Sequence, residues 1–142
     1  MRRIYLILLI VGLAAALGAQ TGLFELSYGD TKEDALANLE DKGFSVVSDS
    51  LDTVVVSDGG DLVESIELSF SGEDDTLNGW TVYYIPQDDD DIEAMVVDFI
   101  SSWHGDDYEY DPDWEMYIWE LDENHTVSAY YDWDYYYFIA DY

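Results

Sequence analysis

Residues 64–70, ESIELSF, set apolar Ile66, Leu68 and Phe70 alternately against Ser65, Glu67 and Ser69. A period of two predicts a strand with one buried face and one wet face. Residues 80–86, WTVYYIP, repeat the pattern, with Trp80, Val82 and Tyr84 on one side. The β-branched runs FSVVS and TVVVS precede them, joined through DSLD, and the Gly-Gly pair of SDGGDL marks a hairpin. Elsewhere the period lengthens. Ala35, Leu36 and Leu39 share one face of a short helix, which either Asp30 or Thr31 can cap and which Gly43 ends. Ile92, Met95, Val96, Phe99, Ile100 and Trp103 form a broader helical stripe that stops before Gly105. The strand pattern then resumes in DYEY, WEMYIWEL, TVSAYY and YYYFIAD.

The chain therefore reads helix, glycine, strands, twice over. The expected fold class is α+β: two αβββ(β) repeats, about 22–86 and 87–142, sharing an antiparallel sheet with two helices packed on one face. Helix-on-sheet layering gives each apolar face a partner.

Residues 26–44, LSYGDTKEDALANLEDKGF, run strand, glycine, threonine cap, acidic first turn, Ala and Leu, and a terminal glycine. This arrangement resembles the small exported tandem α+β modules of the outer-membrane assembly lipoprotein and β-lactamase-inhibitor-protein kind. The resemblance implies a small exported α+β module. The chain contains no cysteine, so the lipoproteins' anchoring cysteine and the inhibitors' disulfides have no counterpart. No functional residue is carried over.

The first residues, MRRIYLILLIVGLAAALGAQ, place Arg2 and Arg3 before an apolar run from 4 to 17, followed by small residues. This is the pattern of a secretory signal peptide, expected over 1–19, with a single domain over 20–142. The run spans roughly 21 Å as a helix, short of a hydrocarbon core of about 30 Å. The expected location is periplasmic or extracellular, with no membrane insertion after cleavage.

Charge changes the picture most. The formal net charge is −29. Beyond residue 19 only Lys32 and Lys42 stand against 33 acidic residues. Such a surface repels nucleic acid and anionic lipid and attracts cations and basic proteins. A carboxylate-rich skin also suits a salty medium.

The four aspartates 88–91 raise the question of calcium. An EF-hand loop begun at Asp88 meets Ile92 at its fifth position and Glu93 at its sixth, so the ligand pattern fails. Asp90 or Asp91 capping the second helix fits better. The segment DDYEYDPDW offers the other candidate cation site, Asp107, Glu109, Asp111 and Asp113. Its competing reading is an acidic edge strand guarded by charge. No cofactor is expected beyond loosely held Ca2+ or other cations.

Aromatic residues crowd the C-terminal strands. Trp114, Tyr117, Trp119, Tyr130, Trp133 and Tyr135 are the candidate binding platform, against the alternative of cross-strand packing. Strand alternation sends either Tyr117 and Trp119 or Met116 and Ile118 to the helix side.

Catalysis finds little to work with. His104 and His125 lack partners at metal or triad spacing. No nucleophile elbow surrounds Ser101 and Ser102. Glu115 and Glu120 are a carboxylate pair of the kind any chain this acidic contains. The expectation is a non-catalytic module binding a protein, with a cation- or carbohydrate-binding module as the alternative.

Overall fold

The computed structural model describes residues 23–60, 62–85, 91–134 and 137–142. The predicted signal segment, Asp90 as a cap, and Tyr135 lie outside the described residues.

A 3-10 turn at Leu23–Glu25 leads into helix α1, Lys32–Asp41. Thr31 is the cap: its Oγ1 accepts from the Asp34 N–H at 3.2 Å and donates to Asp34 Oδ2 at 2.9 Å. Asp30 does other work, taking the Ser27 N–H at 2.8 Å and so closing the turn before the helix. Both helices end on a glycine in the left-handed region, Gly43 at φ 95° and Gly105 at φ 89°, where a side chain would clash with the backbone.

Strands β1 (Ser45–Asp49), β2 (Thr53–Ser57), β3 (Val63–Phe70) and β4 (Leu77–Tyr84) follow α1. Helix α2, Asp91–His104, then leads into β5 (Glu109–Asp111), β6 (Met116–Glu120), β7 (Thr126–Asp132) and β8 (Tyr137–Asp141). The eight strands form one sheet in the order β1-β2-β3-β4-β8-β7-β6-β5, with every pairing antiparallel. Each half is a meander behind its own helix. The last strands of the two halves meet at the centre, in the register Val82↔Ala140 and Tyr84↔Phe138.

One apolar cluster runs under both helices. It takes Ala35 and Leu39 from α1, and Val96, Val97 and Ile100 from α2. The sheet supplies Ile66, Leu68 and Phe70, then Trp80, Val82 and Tyr84, the inward positions that alternation predicts. The stripe on α2 differs from the expected one. Val97 is buried, whereas Met95 and Trp103 are 46% and 44% exposed. Met95 lies about 100° around the helix from Val96, and Trp103 sits in the last turn.

An aromatic ladder stitches the halves together at the centre of the sheet. His125 stacks on Tyr28 at 3.9 Å, Tyr28 meets Trp80 at 5.0 Å, and Trp80 stacks on Tyr142 at 4.7 Å. His104 completes the run, its Nε2 lying 3.1 Å from the Tyr142 hydroxyl. Burial holds the His104 pKa below its usual value. No helix among the described residues is long and apolar enough to cross a membrane.

Candidate functional site

The described residues of the predicted platform divide among three places. Trp119 is buried at 1% exposure on the helix side of β6, and its Nε1 donates to the Gly105 carbonyl at 3.0 Å. It belongs to the core and has no surface left for a partner. Tyr117 lies on the same face, half-buried, and Met116 and Ile118 take the opposite one, since Tyr117 pairs with buried Ala129 and Met116 with Tyr130. Tyr130 is on that opposite face too, where its hydroxyl donates to Asp141 Oδ2 at 2.8 Å. Burial first, then the Asp141 bond, raises the Tyr130 pKa above the ordinary phenol value.

Trp114 and Trp133 are different. Trp114 lies in the β5–β6 turn and is 77% exposed; Trp133 lies in the β7–β8 turn and is 69% exposed. Because β6 and β7 are antiparallel neighbours, with Met116 opposite Tyr130, the two turns open at the same end of the sheet. Trp133 rests edge-on against Tyr131, ring centres 4.7 Å apart.

The local chemistry of the first turn is explicit. Asp111 Oδ1 accepts the N–H groups of Asp113 at 2.9 Å and Trp114 at 3.3 Å. Glu115 follows in the left-handed region at φ 51°. The side chain of Asp111 thus folds the tip that presents Trp114. That use changes the reading of the four carboxylates 107, 109, 111 and 113. Only Glu109 and Asp111 lie in β5, and Asp111 is committed to the turn. Among the described residues no three His, Cys, Asp or Glu side chains converge as metal ligands. The acids instead flank a short edge strand.

Below Trp114, tyrosines line the flank between α2 and the sheet. Tyr117 contacts Tyr110 at 4.9 Å and Tyr108 at 5.4 Å between ring centres, and Tyr108 reaches Trp119 at 5.1 Å. The Tyr117 hydroxyl donates to Glu93 Oε1 at 2.7 Å across a cleft also lined by Asp98 and Tyr108. That hydrogen bond, together with partial burial and the Glu93 charge, pushes the Tyr117 pKa up to about 12. Tyr108, Tyr110 and Glu93 are absent from the predicted platform. Alternation in DYEY puts both tyrosines on one face, but the contact that ties the cluster to α2, Tyr117 to Glu93, spans 24 residues of sequence and leaves no local signal.

The described platform residues thus fall on the helix side of the sheet, on its opposite face, or at hairpin tips amid carboxylates. Comparison with known proteins yields no matching family model, no matching curated protein and no matching solved structure.

Proposed function

We propose that this protein is an exported, non-catalytic module that binds a basic protein through the aromatic rim of its C-terminal half. The observation that carries the reading is the pair of exposed tryptophans, Trp114 and Trp133, on adjacent turns at one end of the sheet. Large indole surfaces left in water are disfavoured, and Trp is enriched among residues that anchor interfaces. Asp113, Glu115, Asp132 and Asp134 interleave with them, so lysine and arginine side chains on a partner meet opposite charge around an apolar centre. The flank of Tyr108, Tyr110 and Tyr117 beside Glu93 extends the same character, with ring faces that accept cations. Export rests on the basic and then apolar N-terminal pattern.

The test compares the wild type with the double variant W114A/W133A in a pull-down from envelope extract at high salt. Both positions are exposed, so the variant is expected to keep the wild-type melting curve and to lose a basic partner that the wild type retains. Identical capture by the two proteins would overturn the reading. Saturable one-to-one heat with calcium, or with an oligosaccharide, would replace it by the cation- or carbohydrate-binding alternative.

A further inference from the structure

Helix α2 turns a mixed face toward the C-terminal edge of the sheet. Ala94 and Val97 form a short apolar strip, and Glu93 and Asp98 border it on either side, about 140° apart around the helix. Opposite the strip stand the rings of Tyr117, on β6, and Tyr108, in the loop before β5. Together these side chains line a cleft of about 320 Å³, at the small end of the range for ligand pockets. The two rings meet at 5.4 Å and 72°, so they form perpendicular walls. The Tyr117 hydroxyl donates to Glu93 Oε1 at 2.7 Å and ties the two sides of the cleft together. Val97 is 8% exposed and joins the floor to the core, whereas Tyr108 is 38% exposed and keeps ring surface open to solvent.

The chemistry of the lining selects the occupant. Glu93 and Asp98 are exposed carboxylates, and phenol ring faces attract cations, so the cleft favours positive charge. A bare metal ion needs several oxygens close around it. The two carboxylates instead stand on opposite borders of the apolar strip, and among the described residues no three ligating side chains converge. An ammonium or guanidinium group would set N–H donors against Ala94 and Val97, where they find no acceptor. A trimethylammonium group carries charge without donors. Its methyl groups can lie on the strip while its charge faces the rings and carboxylates. Beside the cleft, β5 is three residues long and carries Glu109 and Asp111, an edge that gives an extended peptide little to pair with. The occupant that fits is therefore a small solute.

We propose that the cleft between α2 and the β5–β6 edge binds a small solute bearing a trimethylammonium group. The proposal rests on the cation-accepting flank of the preceding reading and stands apart from the two exposed tryptophans. The probe is choline, titrated into the protein in about 1 M potassium chloride, where the carboxylate skin acts over only about 3 Å. The amide resonances of Ala94, Val97, Asp98 and Tyr108 are expected to shift saturably, and those of Glu73, Asp74 and Asp75 to stay in place. The neutral isostere of choline, with a tert-butyl group for the trimethylammonium, is expected to bind at least about threefold more weakly. Tyr108→Leu should weaken choline by a similar factor, and Tyr108→Phe, which keeps the ring, should not. The isostere comparison uses the wild type, so it decides the matter where Tyr108→Leu disturbs the packing on Trp119. W114A/W133A is expected to bind choline as the wild type does, so this site and the partner site can fail separately. Shifts spread evenly over the acidic surface, equal binding of choline and its isostere, or undiminished binding by a folded Tyr108→Leu variant would each overturn the proposal. So would a trimethyllysine peptide that binds more tightly than choline, because it would give the cleft to a side chain of a partner.

Discussion

Gly59 shows how closely single residues constrain this fold. It sits in the β2–β3 turn, and a Cβ built on it would run into the ring of Phe44. That ring is 4% exposed and is itself held edge-on by Phe24 at 5.4 Å. The glycine is required for space rather than for a left-handed backbone. We expect Gly59→Ala to cost about 1–3 kcal/mol, the usual range for forcing extra volume into a packed site. Urea unfolding measures the loss. Phe44→Leu in the same background should recover part of it, because the shorter side chain vacates the position, and a double-mutant cycle would then show coupling. Strict additivity of the two changes would show that the ring is not the obstacle.

At the scale of elements, α1 depends on its first turn. It is ten residues long, with only Ala35 and Leu39 fully buried. Helices this short draw little from propensity alone. Loss of the Thr31 hydroxyl removes an acceptor from the Asp34 N–H, so Thr31→Ala should destabilise the protein by about 1 kcal/mol. Thr31→Ser should restore most of that, and equal unfolding midpoints for the wild type and T31A would show the cap to be idle. The cap also shows what the sequence makes legible. Asp30 and Thr31 were equally good caps by composition; Thr31 takes the role because Asp30 is tied to Ser27 and, through its backbone, to Leu77 of β4. Strand existence and facing were readable from the alternation in ESIELSF and WTVYYIP, since one face of each joins the apolar cluster that both helices share. The α2 stripe was readable only in outline: an apolar arc wider than the sheet can cover leaves its flank, Met95, to water. The candidate site was the least legible part. Alternation posed the choice between Trp119 and Ile118 for the core, but packing against α2 and Gly105 decided it. The exposure of Trp114 follows from a side chain–backbone turn at Asp111, a geometry that composition does not report.

For the whole molecule, the governing quantity is the repulsion among its carboxylates. Beyond residue 19 the chain has 33 acids and two lysines, and among the described residues no charged group is buried in the core. Lys32 and Lys42 are each paired already, with Asp49 and Glu25. The remaining charge on the described residues therefore faces water, where folding brings it together and unfolding spreads it apart. Screening sets how far each carboxylate is felt, about 10 Å near 0.1 M salt and about 30 Å near 0.01 M. We expect the thermal midpoint to rise with potassium chloride and to fall steeply on dialysis to low salt. Exposed Glu73, Asp74 and Asp75, in the β3–β4 turn, provide a sharper test. Glu73→Gln with Asp74→Asn and Asp75→Asn removes three charges without touching the core, and Asn suits the left-handed backbone at Asp75, φ 52°. This variant should melt higher than the wild type at low salt, and the two should converge as salt rises. Chloride and a matched ionic strength of sulfate would separate screening from exclusion effects, because only the latter discriminates between the anions. A midpoint indifferent to potassium chloride would mean that the carboxylates repel too weakly to matter, and that the acidity serves the partner rather than the medium.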